Sequence, residues 1–232
     1  MKSEAKARAI IICAGEASRW RNHRGVPKHL VVIEGERILD RMVRLLKARG
    51  VDDIHVVVKA AVPAYDVPGA TQFPASLDSK NGDADKFLSS KALWNKSGRT
   101  LVVLGDCYFT DAAMSTIVNF PKREWTWFCR TNPSKITGGK HGEGFAQSFY
   151  PEHLAAHEAA LHRVADLWRR KVIDRCAGWE HYRAMVGRPD AKIRHPHVMS
   201  TNYVEIDDWT DDFDYPEDYE TWLKKRAALA AK

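Results

Sequence analysis

An α/β fold, with a mostly parallel sheet flanked by helices, is predicted by three features of the sequence. The chain opens on the signature of a buried strand, Ala9-Ile10-Ile11-Ile12-Cys13. Apolar residues at helical spacing follow from Ile38 to Leu46, and a second apolar run, Ile54 to Val58, comes straight after. A third run, Thr100 to Leu104, repeats the pattern. Strand, helix and strand in succession argue for parallel pairing, because the chain must cross over the sheet to return in the same direction.

Taken in order, the elements are these. After the first strand, a basic stretch leads to Pro27-Lys28, a short strand from His29 to Ile33 and a turn at Gly35. The helix from Ile38 ends near Gly50, a natural stop after Arg49. Ala60 to Ala75 carries Pro63, Pro68 and Pro74 and reads as loop with one short strand. Asn81-Gly82-Asp83-Ala84-Asp85 opens a helix to about Trp94, with Asn81 or Asp83 suited to its N-cap. Thr110 suits the cap of the helix after the third strand. Trp125 to Arg130 and Phe145 to Tyr150 read as strands joined through a glycine-rich loop, Thr137 to Gly144, and Pro151 to Lys171 as a long helix. Asn202 to Ile206 is a last strand, and Pro216 opens the last helix.

Composition narrows the function classes. With 232 residues and 44% hydrophobic content the chain suits one domain, residues 1–232, and no repeat, low-complexity tract or linker divides it. A formal charge of +6 is compatible with anionic small molecules and does not require nucleic acid. No stretch approaches the roughly 18 apolar residues of a membrane span, and the first residues lack a secretory core, so a cytoplasmic protein with no membrane role is expected. Cys13, Cys107, Cys129 and Cys176 form no C-x-x-C pair and read as reduced, buried thiols. His157 and His162 are spaced five residues apart, roughly 140° around a helix, unlike the H-E-x-x-H zinc spacing, so solvent-facing histidines are expected here. Arg188 to His197, with His195-Pro196-His197, reads as a loop or short strand and lacks the further ligands of a zinc site.

Three stretches carry chemistry. Ala14-Gly15-Glu16-Ala17-Ser18 is small enough for backbone N–H groups to approach an anion, and Arg19, Arg21, Arg24 and Lys28 follow it. Strand, small-residue loop and fixed positive charge together suit a triphosphate under attack at one phosphorus. No Gly-Lys-Ser/Thr closes the loop and the G-x-G-x-x-G spacing is missing, so it is neither a Walker loop nor a Rossmann fingerprint. Leu101-Val102-Val103-Leu104-Gly105-Asp106 puts a carboxylate at the C-terminal edge of a central strand, where open α/β sheets bind ligands and where Mg²⁺ finds a hard oxygen donor beside phosphates. The third stretch is acidic, from Asp207 to Asp218. Most of its carboxylates are a solvated face, but the basic residues at the other end of the chain would repel one another unless a polyanion or metal-holding carboxylates stood among them.

The sequence of small-small-Gly-x-small-Ser-Arg, basic loop and Pro27-Lys28 resembles the nucleotidyltransferase family of sugar-1-phosphate and CTP-dependent enzymes, whose signature reads roughly L-A-A-G-x-G-T/S-R…P-K. Ala17 stands where that family has its second glycine and Cys13 where it has alanine. Leu-Val-Val-Leu-Gly-Asp matches its strand-Gly-Asp element, and Asp212-Phe213-Asp214-Tyr215-Pro216-Glu217-Asp218-Tyr219 resembles its closing segment, with Phe213 and Tyr215 departing. The resemblance implies a GT-A-like, Rossmann-like domain with a small acceptor-binding insertion, about residues 125–200. It implies transfer of a nucleotidyl group from a nucleoside triphosphate, CTP or another, to a small anionic phosphate- or phosphonate-bearing acceptor, with pyrophosphate release and a Mg²⁺ cofactor. Arg19 and Lys28 are then the catalytic cations, and Ala14, Gly15, Glu16, Ala17, Ser18, Asn81 and Asp83 contact the nucleotide. Lys135, Lys140, His141 and Glu143 line the acceptor pocket, and Asp106 with Asp214 holds the metal, Asp207 being the rival to Asp214. A monomer or homodimer is expected.

Two other classes compete. A GT-A glycosyltransferase would need D-x-D after the central strand, and Asp106-Cys107-Tyr108 lacks the second aspartate. A non-catalytic nucleotide- or nucleic-acid-binding module would keep the fold and discard the chemistry; the presence of Arg19, Lys28 and Asp106 counts against it, while Ala17 in place of glycine leaves room for it.

Overall fold

The computed structural model describes residues 6–15, 18–138, 141–194 and 201–230. Eleven strands are present among them: β1 (Arg8–Ile12), β2 (Val32–Ile33), β3 (Glu36–Arg37), β4 (Asp53–Val58), β5 (Thr71–Pro74), β6 (Thr100–Leu104), β7 (Cys107–Tyr108), β8 (Thr126–Arg130), β9 (Glu143–Phe149), β10 (Tyr203–Glu205) and β11 (Asp211–Asp212). The helices are α1 (Ile38–Lys47), α2 (Asp85–Leu88), α3 (Asp111–Val118), α4 (Leu154–Arg169), α5 (Gly178–Met185), α6 (Asp190–Ile193) and α7 (Pro216–Ala230).

Seven strands form one sheet in the order β10-β8-β9-β6-β1-β4-β5. β1 pairs parallel with both β4 and β6, β4 with β5 and β10 with β8; β9 alone runs antiparallel, to β6 and to β8. The sheet is therefore mixed and mostly parallel. Successive side chains of β1 feed opposite faces. Ala9 and Ile11 join the core under α1, α3 and α7, while Ile10 and Ile12 join the core under α4 and α5. That two-sided burial explains the unbroken apolar run in the sequence.

Local signals act as the sequence suggests at several points. Gly50 leaves α1 at φ 79°, Gly35 turns at φ 80°, and the Thr110 hydroxyl accepts from the Ala113 amide at 3.0 Å to cap α3. All four cysteines are free and buried. No helix among the described residues is long and apolar enough to cross a membrane.

Four expectations are corrected. The helix expected from Asn81 to Trp94 is broken into 3₁₀ turns, Ser79–Ala84 and Lys91–Leu93, around the single turn of α2. Its cap is Asp78, which accepts from the Lys80 amide; Gly82 leaves helical geometry at φ 55°, and Asn81 instead donates to Asp85 at 2.9 Å. The short strand expected from His29 begins only at Val32, because Lys28–Leu30 forms a 3₁₀ turn. His157 is fully buried, since α5 covers the helix face that carries it. Residues 188–194 hold α6 rather than a loop or strand, and His195 and His197 lie outside the described residues.

Candidate active site

The backbone brings the two ends of the chain together at the C-terminal edge of the sheet. Gly105 follows β6 and donates to the carbonyl of Ile12 at 3.0 Å. A Cβ at this position would stand 2.7 Å from the same oxygen and run into the Cys13 sulfur, so only glycine lets the ends of β1 and β6 approach so closely. Asp106 is thereby set beside the loop after β1. β7 then pairs antiparallel with β11, Cys107 opposite Asp212, and the Phe213 amide donates to the Asp106 carbonyl at 3.1 Å. Side chains alternate along this extended segment. Phe213 enters the core against Tyr219 and Trp222, while Asp212 and Asp214 face a cleft that Asp106 also lines.

Lys28 ties these pieces together. Its Nζ lies 2.5 Å from Asp106 Oδ2 and 3.0 Å from Asp214 Oδ1, and the residue is only 5% exposed. Arg19 reaches the other oxygen of Asp214, Nη1 to Oδ2, at 2.7 Å. Burial by itself lowers the pKa of Lys28, but the two carboxylates outweigh it and hold the ammonium above its ordinary range. Reciprocally, burial disfavours the Asp106 carboxylate, and the charge of Lys28 overrides that and keeps its pKa far below the usual carboxylate value.

Of the other acids of the cleft, Asp83 pairs with Lys86 at 3.0 Å, and two have no such partner. Glu143 and Asp212 make no side-chain ion pair among the described residues. Burial, followed by the charge of Asp214, pushes the Glu143 carboxyl up to about 8; burial and then Glu143 itself raise Asp212 well above its ordinary value. Trp127 and Trp179 form the aromatic wall of the cleft, with Gly144 and Gly178 giving Trp127 room: a Cβ at Gly178 would stand 2.7 Å from the indole. Next to the cleft opens a cavity of about 460 Å³, lined by Ala14, Asp78, Gly82, Asp83, Trp168 and Cys176 among others.

A family model described as the MobA-like NTP transferase domain matches residues 9–184, more than half of the chain. The chain belongs to the MobA-like NTP transferase family. No curated protein matches it. Among solved structures, it is similar to CTP:phosphocholine cytidylyltransferase (LicC) from Streptococcus pneumoniae, at 17% identity and a TM-score of 0.55, covering 95% of this chain and 99% of that one. A putative glucose-1-phosphate thymidylyltransferase from Bacillus anthracis matches at 14% identity and a TM-score of 0.60 over 94% of each chain. Rv0371c from Mycobacterium tuberculosis H37Rv matches at 15% identity and a TM-score of 0.59, over 96% of this chain and 99% of that one. At these identities the likeness is one of fold, the Rossmann-like GT-A architecture of a mixed sheet between helices.

Against this MobA-like frame, the residues singled out in the sequence separate into groups. Arg19, Lys28, Asp106, Asp214 and Glu143 come together around the cleft. Ala14 lines the adjoining cavity and Asp83 lines both. Gly15 lies beneath Lys86, Ser18 is exposed at the start of a 3₁₀ turn, and Asn81 holds Asp85 from behind the cavity wall. Arg21 and Arg24 turn away, pairing with Glu217 and Glu220 on α7. Lys135 is not brought to the cleft: it pairs with Asp207 at 3.0 Å, and both line a separate cavity beside α7. Asp207 is therefore not a partner of Lys28, whose carboxylates are Asp106 and Asp214. His141 is exposed and does not line the cleft, and Glu16, Ala17 and Lys140 lie outside the described residues.

Sequence reasoning missed Asp212, Lys86, Arg175, Trp127 and Trp179, all of which line the cleft. Asp212 was findable, since it shares a strand face with Asp214. The other four sit in no motif.

Proposed function

We propose that this chain transfers a nucleoside monophosphate from a nucleoside triphosphate to a small acceptor bearing an anionic phosphate or phosphonate, with pyrophosphate release and dependence on Mg²⁺. The observation that carries this reading is the buried Lys28 ammonium clamped between Asp106 and Asp214 at the floor of a cleft that continues into a nucleoside-sized cavity. The acceptor oxygen is already ionised, so the reaction needs no general base, and catalysis becomes positioning and charge neutralisation. The acceptor's lone pair forms the new bond to the α-phosphorus, the bond to the β-phosphate oxygen breaks, and its electron pair leaves with pyrophosphate. Arg19 neutralises the leaving group and Lys28 the centre under attack.

Among the described residues no group of three or more His, Cys, Asp or Glu stands in metal-holding geometry. The donors nevertheless fit Mg²⁺, which takes one or two carboxylates and completes its octahedron with phosphate oxygens and water. Two oxygens 2.5 and 3.0 Å from one nitrogen lie within about 5.5 Å of each other, a span that one partly hydrated Mg²⁺ bridges. Asp212 and Glu143, the cleft acids without a cation partner, each have a pKa raised by burial and by neighbouring carboxylates, a repulsion that a bound cation would relieve. Asp106 and Asp214, with Asp212 beside them, would hold the ion, which when bound neutralises triphosphate charge. A glycosyltransferase reading gains nothing here, because Tyr108, in place of the second aspartate, is buried with its hydroxyl on Glu34.

The test is pyrophosphate release across the four NTPs and dTTP with a panel of phosphomonoesters and phosphonates. CTP with phosphocholine and dTTP with glucose 1-phosphate head the panel, since similar folds act, or are described as acting, on them. Pyrophosphate from one pair, abolished by chelation of Mg²⁺, is the expected result. Silence across the panel, with nucleotide-sugar cleavage instead, would overturn the reading.

A further inference from the structure

The cleft and the adjoining cavity share three lining residues, Asp83, Lys86 and Arg175. On the reading just proposed, the nucleoside occupies the cavity and the triphosphate the cleft beside Arg19 and Lys28. The α-phosphate joins the two, so it must cross the boundary those three residues line. Two of them are cations. We propose that Lys86 and Arg175 hold the α-phosphate of the nucleoside triphosphate, the group that is transferred, where the cavity meets the cleft.

Lys86 is built for this position. It projects from α2 back over the loop after β1, where a Cβ on Gly15 would stand 3.3 Å from its Cε and 3.5 Å from its Nζ. A glycine at residue 15 therefore leaves the lysine stem room to lie against the backbone that approaches the phosphates. In the free protein its Nζ pairs with Asp83 Oδ1 at 3.0 Å, an exposed and readily exchanged partner. Arriving phosphate replaces that carboxylate. Arg175 stands exposed at the same boundary and makes no hydrogen bond or ion pair among the described residues. Arg19 and Lys28, by contrast, are already bound to Asp214 and Asp106. Two cations on the non-bridging oxygens fix the phosphorus for in-line attack and offset the charge that gathers there as the acceptor oxygen bonds and pyrophosphate departs.

The experiment uses the full chain with Mg²⁺ and, for the base that binds, compares affinities for nucleoside, nucleoside monophosphate and nucleoside triphosphate by calorimetry. Lys86→Met, Lys86→Arg and Arg175→Met are measured beside the wild type. Expected is a loss of about tenfold in the preference for monophosphate over nucleoside in each Met variant, with partial recovery in Lys86→Arg. A merely structural role would lower nucleoside and monophosphate affinity alike and leave the preference at its wild-type value. If both Met variants keep the wild-type preference, or lose affinity only between monophosphate and triphosphate, the inference fails while the proposed function stands. If the wild type binds no nucleoside triphosphate, both fall together. Should Lys86→Met not fold by circular dichroism, Arg175→Met and Lys86→Arg decide the matter.

Discussion

Two buried polar clusters, one at the C-terminal edge of the sheet and one under α4 and α5, solve the same problem in opposite ways. At Lys28 the buried groups stay ionised, because each charge faces its opposite within 3.0 Å. At His157 and His181, whose rings lie 4.7 Å apart beneath α5, the buried groups are neutral: Phe149 stacks on one ring and Phe87 on the other, and three of the four ring nitrogens find no partner. On the proposed reading, the first cluster keeps charge in reserve for a ligand. The second only fills space, and its unpaired nitrogens are a cost that the surrounding aromatic packing offsets.

Removing the charge from the first cluster should have the largest effect. Lys28→Ala is expected to lower turnover by at least about 10²-fold while circular dichroism stays normal, the loss typical of a fixed charge taken from a transition state. Near-native turnover would show that the ammonium only neutralises Asp106 and Asp214.

The next contrast is between one ion and two separate roles. Asp106→Asn and Asp214→Asn should each raise the Mg²⁺ concentration needed for activity, and the double variant should lose little more than the worse single, since both oxygens would serve one ion. Fully additive losses would separate the two carboxylates.

The neutral cluster is tested by acid. Burial, with the neighbouring ring a smaller cause at His157, holds that residue's pKa well below its ordinary value, and burial lowers His181 to about 3. The unfolded chain binds these protons below its pKa of about 6.5, and the folded chain does not. Stability is therefore full above that pH and is lost as pH falls from about 6.5 toward 3, by an amount on the order of a few kcal/mol. His181→Leu breaks no hydrogen bond, and it should flatten part of this slope in urea-unfolding curves taken between pH 7 and pH 4. An unchanged slope would place the acid sensitivity elsewhere.

How legible these clusters were in the sequence follows from the range of their contacts. β1, α1, β4 and β6 could be read because periodicity is local, and Asp106 could be placed at the sheet edge because the strand before it ends there. That Lys28 is the point where Asp106 and Asp214 converge could not be read, because one of its bonds spans 186 residues. The error at His157 has a related cause. Helical spacing says which residues share a face, but only the fold says that α5 covers that face, and α5 is too short to announce itself. Lys86 and Arg175 likewise stand in broken helix and loop, where no pattern marks them.

The smallest expected effect sharpens the boundary of the charged cluster. Asp207 and Asp214 are both acids of the same C-terminal stretch, and from sequence either could serve a metal. Their surroundings differ. Asp214 is held by Arg19 and Lys28 inside the cleft, whereas Asp207 is exposed, pairs with the equally exposed Lys135 and lines a different cavity. A surface ion pair of that kind contributes at most about 1 kcal/mol. Asp207→Asn should therefore leave turnover and the Mg²⁺ requirement at wild-type values while Asp214→Asn shifts both, the two titrated side by side in one assay. A Mg²⁺ requirement raised equally in the two variants would mean that the metal lies nearer to α7 than the clamp on Lys28 implies, and would move the centre of the site away from Asp106.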